Sequence, residues 1–267
     1  MGRNQRVVVK IGSSSVTDET GNLDETKMRE LVEDFVNASE MGGWQLVLVS
    51  SGAVAAGCSK LGWDRRGLSL PEKQAAAAVG QGLLMDRYGK LFGEYGIIIG
   101  QVLLTKFDIA NPQQLSHICD TMETLIANRV VPIVNENDTV AVDEIRVGEN
   151  DTLAAHVAVL TNSDLLVLLT DVDGLYTSDP RKHEDAKPIS EVWEITDELA
   201  SMAGTSATLV GTGGMQTKLS AARIATENGI DVVIANSSDS ELFTDLAHGG
   251  WKGTKFHAQS SKEGIQT

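Results

Sequence analysis

Long apolar runs are missing from this chain of 267 residues: none approaches the roughly 20 residues that a membrane-crossing helix needs. The N-terminus, MGRNQRVVVK, runs straight into a short apolar stretch without the hydrophobic segment of a secretory leader. Arg6 stands where a myristoylation signal has Ser or Thr. Cysteine is scarce: Cys58 and Cys119 form neither metal nor redox spacing and read as reduced thiols of a cytoplasmic protein. The histidines at 117, 156, 183, 248 and 257 are scattered without metal-ligand spacing and read as structural. Positive charge is in deficit, 22 Lys and Arg against 37 Asp and Glu. The net charge of −15 argues against nucleic acid or an anionic membrane as the main partner. Neither GxxxxGK[ST] nor GxGxxG occurs, so the two commonest phosphate-binding fingerprints are excluded. Repeats, low-complexity tracts and linkers are also missing.

What is present is an alternation of two patterns. Apolar runs at Arg6–Ile11, 44–49, 97–104, 130–134, 164–170 and 231–235 read as strands, and 253–257 as a closing strand. Between them, apolar residues at helical spacing predict helices over 24–41, 74–92, 113–128 and 219–228 and from about 149 onward. Shorter helices are expected over 196–202 and 239–248. The segment 60–73 reads as an exposed loop, with Pro71 at a first helical position. Glycines 80, 82 and 89 suggest close helix packing, with a second subunit as one candidate partner. The strands are continuous rather than alternating in hydrophobicity. That predicts an α/β fold, a three-layer αβα sandwich with a mostly parallel central sheet.

Polar residues gather where the strands end, the place where α/β proteins present backbone groups to ligands. Lys10 precedes Gly12-Ser13-Ser14, and Ser50-Ser51-Gly52 follows the second strand. Asn135-Glu136-Asn137-Asp138 follows the fourth, and nearly the same tetrapeptide returns as Gly148-Glu149-Asn150-Asp151 at a helix start. Thr170-Asp171 closes another strand, and Thr212–Lys218 is a glycine-rich turn, a lysine and then a helix. Amide-rich turns and helix N-termini favour phosphate. Lys10 at the end of a buried strand needs a partner or an anion, and Lys218 near a helix start is disfavoured by the dipole unless an anion meets it. Two lysines, several carboxylates and many glycine amides, without a Ser–His pair or a His base, suit phosphoryl transfer, which relies on positioning and charge neutralisation.

The segments VVVKIGSSS (7–15), VSSGAVAAG (49–57), QGLLM (81–85), QVLLT (101–105), PIVNENDTV (132–140), GENDTLAAHVA (148–158), LLTDVDGLYTSDP (168–180) and GTGGMQTK (211–218) resemble the amino acid kinase family, in that family's order. The likeness is to the branch that phosphorylates the γ-carboxylate of L-glutamate, the first step of proline biosynthesis. It implies that Lys10 and Lys218 straddle the transferring phosphoryl group while Asp151 holds both. It implies that Ser51, Gly52, Asp138 and Asn150 bind glutamate. ATP would lie on Lys10, Gly12, Ser13, Thr170, Asp171, Asp173, Gly174, Tyr176, Asp179 and Pro180, and on Thr212, Gly213, Gly214, Met215, Gln216, Thr217 and Lys218. Mg²⁺ would ride on the ATP phosphates, with no dedicated protein ligand set.

The resemblance further implies one domain over 1–267, mainly glutamate-binding to about 160 and mainly ATP-binding beyond. It implies a cytoplasmic homo-oligomer (dimer or tetramer), feedback inhibition by proline and hand-over of the product to glutamyl phosphate reductase. The length leaves no room for the RNA-modifying-type domain that many members carry after the kinase domain. The segment 139–148 is expected to act as a lid over glutamate. Two alternatives remain open at the level of sequence. One is a sister kinase for acetylglutamate, aspartate or a nucleoside monophosphate. Arg146 is the one cationic residue between 135 and 151, which disfavours a phosphate acceptor. The other is a non-catalytic nucleotide-binding relative, expected to have lost part of the Lys10, Asp151, Lys218 set.

Overall fold

Five hexa- and heptapeptides rich in Val, Ile and Leu form the spine of the molecule: Arg6–Ile11 (β1), Gln45–Ser50 (β2), Val130–Glu136 (β4), Leu165–Thr170 (β5) and Asp231–Asn236 (β9). In the computed structural model, residues 5–140, 149–178, 183, 185–199 and 214–259 are described. Ile98–Leu104 (β3), Glu191–Val192 (β8) and Thr254–Phe256 (β10) complete an eight-stranded sheet of order β3-β4-β2-β1-β5-β9-β10-β8. Every neighbouring pair from β3 to β9 runs parallel, while β10 is antiparallel to β9 and parallel to β8. Leu175–Tyr176 (β6) and Pro188–Ile189 (β7) form a separate antiparallel pair.

The strands alternate side chains between two packed faces, as a pleated sheet must. Val7, Val9 and Ile11 point to a core built with Glu25–Gly42 (α1), Leu70–Gly93 (α3) and Leu242–Ala247 (α8). There Phe35 meets Phe243 edge to face at 4.8 Å. Val8 points to the opposite core, formed with Pro112–Ala127 (α5), Glu149–Leu160 (α6) and Met215–Glu227 (α7). Helices on both faces of one sheet make the three layers expected from the continuous apolar strands.

Helix boundaries follow local chemistry. Asp24 caps α1 by accepting from the backbone of Thr26 and Lys27, and Gly43 ends it with φ 64°. Ser69 opens α3 and donates its backbone N–H to Glu72. No helix among the described residues is long and apolar enough to cross a membrane.

Several details differ from the sequence reading. Ala53–Leu61 is a helix (α2), so the loop expected over 60–73 shrinks to 62–69. Lys106–Ala110 (α4) is a further short helix. Pro71 is the second residue of α3 rather than the first. Of the three α3 glycines, Gly80 makes the close approach, and it does so within the chain: a Cβ there would stand 1.7 Å from the Ala53 carbonyl oxygen. Gly57 of α2 is matched in the same way, 1.8 Å from the Ala76 carbonyl. Gly82 faces open space, and Gly89 has only Ile99 at 3.8 Å. Paired glycines therefore let α2 lie directly on α3, which fixes the start of α2 beside the ends of β2 and β4.

Candidate active site

Parallel strands present their C-terminal ends at one edge of the sheet. Here that edge carries Lys10 from β1, Ser50 from β2, Asn135 from β4 and Thr170 from β5. Pleating decides what each does. Lys10 follows Val8 onto the α6–α7 face, so its stem runs through apolar surroundings toward the start of α6. There its Nζ lies 2.7 Å from Asp151 Oδ1. Lys218, on the first turn of α7, reaches the other oxygen, Asp151 Oδ2, at 3.1 Å. Thr217 donates its hydroxyl to the same Oδ2 at 3.0 Å. Lys10 is 7% exposed, Asp151 0% and Lys218 4%, so these three charges sit almost out of water.

Such burial makes ion pairing strong and an unmatched charge costly. Burial pushes the Asp151 carboxyl toward its neutral form, but the ammonium groups of Lys10 and Lys218 outweigh it and hold the carboxyl below its ordinary range. Asp151 is thus an ionised bridge. One negative charge is divided between two ammonium groups, and Asp151 alone does not neutralise the lysines.

Asn150, one residue earlier on α6, faces away from this triad. Its side-chain amide donates to Ser51 Oγ at 2.7 Å and to Asn135 Oδ1 at 3.0 Å. Asn135 donates in turn to Gln81 of α3 at 3.0 Å, and Gln81 to Gln101 of β3 at 3.0 Å. Gly52 follows Ser51 with φ 112°, a region costly for other residues, and a Cβ there would stand 2.8 Å from Val16. A small cleft over this end is lined by Ala53, Ala77, Gln81, Leu103 and the segment 136–139, which contains Asp138.

On the other side of β1, Thr170 ends β5 and donates to Asp171 at 3.2 Å. Asp173 accepts from Asn236 at the end of β9 at 2.8 Å. Gly174 has φ 126° and packs on Thr254, whose hydroxyl also receives the Leu175 N–H at 2.7 Å. A second, wider cleft lies here, lined by Asp173, Asn236, Ser238, Asp239, Lys252 and Gly253. Tyr176 sits in β6. Gly214 is the extended N-cap of α7, Met215 leans on the α6–α7 core and Gln216 is exposed. Gly12 opens the short 3-10 turn Ser13–Ser15, with nothing nearer than 3.8 Å to a Cβ built on it.

The structure therefore brings Lys10, Asp151, Thr217 and Lys218 into contact, and Ser51 with Asn150. Asp138 lines the neighbouring cleft, and Asp173 lines the one beyond β1. Asp179, Pro180, Thr212, Gly213 and positions 141–148 of the expected lid lie outside the described residues. Gln81 and Gln101 were missed by sequence reasoning, as were Asn236 and Lys252. For Gln81 a signal existed: it lies on the stripe Ala77, Leu84, Tyr88 that α3 buries, where a polar side chain needs a partner. Among the described residues no group of three or more His, Cys, Asp and Glu is arranged to hold a metal ion.

A mostly parallel α/β sheet with two lysines on one buried carboxylate at its strand ends is an arrangement suited to anions. Residues 5–236 match the model of the amino acid kinase family, and the chain belongs to that family. It is 48% identical over 254 residues to the glutamate 5-kinase of Clostridium tetani, covering 95% of each chain. It is 49% identical over 260 residues to that of Carboxydothermus hydrogenoformans, covering 97% of this chain and 69% of the relative. Among solved structures, carbamate kinase from Giardia lamblia bound to AMP-PNP superposes with a TM-score of 0.69 at 18% identity, covering 97% of this chain and 100% of that one. UMP kinase from Bacillus anthracis gives 0.64 at 17%, covering 96% and 97%. At such identities these two speak for the fold alone.

Proposed function

We propose that this chain is a glutamate 5-kinase: it transfers the γ-phosphoryl group of ATP to the γ-carboxylate of L-glutamate, giving γ-glutamyl phosphate and ADP. The observation that carries the reading is the Lys10–Asp151–Lys218 bridge, with Asn150 and Ser51 paired beside it. A glutamate side-chain carboxyl, with a pKa of about 4.3, is already ionised near neutrality. One of its oxygens attacks the γ-phosphorus as the bond to the β–γ bridging oxygen breaks, and no general base is required. The requirement is cationic charge where the phosphoryl oxygens gather it. Lys10 and Lys218 supply that charge, and Asp151 keeps both ammonium groups from turning away.

Glutamate lies on the Ser51, Gly52, Asp138 and Asn150 side, with Asp138 meeting its ammonium group. ATP lies across Gly12-Ser13, Thr170-Asp171 and the start of α7, with its nucleoside toward Asp173 and Tyr176. Two buried ammonium groups and a glycine-lined turn suit a triphosphate. Mg²⁺ would be held mainly by the phosphates and would offset their charge. Proline occupies the glutamate side as a feedback inhibitor, the protein works as a homo-oligomer, and the labile acyl phosphate passes to a reductase.

The test is direct. Purified protein is incubated with ATP, Mg²⁺, glutamate and hydroxylamine, and the γ-hydroxamate is measured against aspartate and acetylglutamate controls. Hydroxamate with glutamate well above both controls is expected; equal signals would overturn the reading.

A further inference from the structure

The side-chain amides of Gln101, Gln81, Asn135 and Asn150 form a directed chain, and one backbone group sets its direction. The N–H of Glu136 donates to Asn135 Oδ1 at 2.9 Å. A backbone N–H can only donate, so the atom it meets must be the oxygen. The Asn135 nitrogen then faces Gln81 Oε1, and the Gln81 nitrogen faces Gln101 Oε1, each at 3.0 Å. In the other direction, the same Asn135 oxygen receives Asn150 Nδ2 at 3.0 Å. The second acceptor of Asn150 Nδ2 is Ser51 Oγ at 2.7 Å. Asn135 is 2% exposed and Gln81 9%, so water cannot take over these bonds cheaply.

Two consequences follow for the ligand end. Both amide hydrogens of Asn150 are engaged within the protein, which leaves its carbonyl oxygen to meet a substrate. Ser51 Oγ accepts from Asn150, so its own hydrogen is available to donate. The site then offers a hydroxyl donor suited to a carboxylate and an amide acceptor suited to an ammonium group.

We propose that Gln81 and Gln101 are positioning residues: acting through Asn135, they lock the amide of Asn150 so that its oxygen reads the substrate's ammonium group. This rests on glutamate being the substrate. Removing the Gln81 acceptor leaves the buried Asn135 nitrogen without its partner, so that the Glu136 N–H alone still orients this amide. The grip of Asn135 on Asn150 weakens, and Asn150 then turns its NH₂ toward the ammonium in part of the molecules, a repulsive contact.

The test compares wild type with Gln81→Met, which keeps length and loses both hydrogen bonds. It reads the KM for glutamate and the competitive inhibition constant of glutarate, the same diacid without the amine. A roughly tenfold rise in KM for glutamate is expected, the scale of one neutral hydrogen bond. Inhibition by glutarate and the KM for ATP should hold within about twofold on the same scale. Parallel changes for glutamate and glutarate, or no change in either, would overturn the proposal. Should Gln81→Met not fold, Gln101→Leu at the exposed end of the chain decides. A selective rise for glutamate supports the relay, and an unchanged ratio refutes it. A wild-type protein that makes no hydroxamate from glutamate would instead defeat the substrate assignment, a separate result.

Discussion

Gly80 and Ala53 touch backbone to side-chain position: a Cβ built on Gly80 would fall 1.7 Å from the Ala53 carbonyl oxygen. That contact presses α2 against α3 and sets the place of Ser51 and Gly52, from which α2 begins. The atom in the way is main chain, so no rotamer change relieves the overlap. Gly80→Ala is therefore expected to push the two helices apart, at a cost of about 1–3 kcal/mol or more. The displacement should also raise the KM for glutamate more than that for ATP. Urea unfolding and steady-state kinetics check both. Gly82→Ala is the control, because nothing lies within 4 Å of that position.

Removing a triad lysine should separate chemistry from binding. Lys218→Ala takes away one of the two cations held on Asp151 and leaves the Asn150–Ser51 pair untouched. Turnover is expected to fall by at least about a hundredfold, as for loss of a group aimed at transition-state charge. Glutamate binding, followed by protection against heat, should stay within about threefold of wild type, a small change on the affinity scale. Wild-type turnover in this variant would remove Lys218 from its assigned role.

Two carboxyls shift in opposite directions, and the pH dependence of stability separates them. Asp34 on α1 is pushed up to about 6 from 3.8, first by burial and then by Glu33 and Glu30. The folded protein thus holds this proton longer than the unfolded chain. Stability from this group falls as pH rises between the unfolded value of 3.8 and about 6, and is level above that. Asp34→Asn should accordingly raise the melting temperature at neutral pH, with the gain shrinking as pH approaches 4, near the ordinary value of 3.8. Asp151 behaves oppositely. Its folded value is depressed, so its contribution is complete above the unfolded value of 3.8 and is lost as pH drops through the lower folded one. Melting curves of both Asn variants across the acid range check the two signs.

The parallel strands were legible in the sequence because a strand buried on both faces cannot hide its composition. Lys10 stood out for the same reason: an ammonium at the end of RVVVKI demands a partner. That the partner is Asp151 came from resemblance, since no spacing rule joins β1 to α6. Helix α2 escaped notice because AVAAGCSKL is built of small residues and carries a glycine in its middle. Its reason to be helical lies in its packing on α3, where its own Gly57 meets Ala76 and Gly80 of α3 meets Ala53, a tertiary cause. The reversal of β10 was equally out of reach, because strand direction is set by pairing with β9 rather than by the residues of GTKF. Gln81 illustrates the remaining gap. Its helical position marked it as buried, but only the folded chain shows which amides it joins.

Asn150 and Asp151 are consecutive residues of one helix, and this couples two tasks mechanically. A rotation of α6 that pulls Asn150 from Ser51 and Asn135 also swings Asp151 away from Lys10 and Lys218. Under the proposed function, the acceptor side and the lysine-held charge therefore cannot be adjusted independently of each other. A single substitution that shifts the start of α6 would thus be felt on both sides of the transfer at once, through nothing more than the rigidity of one helical turn.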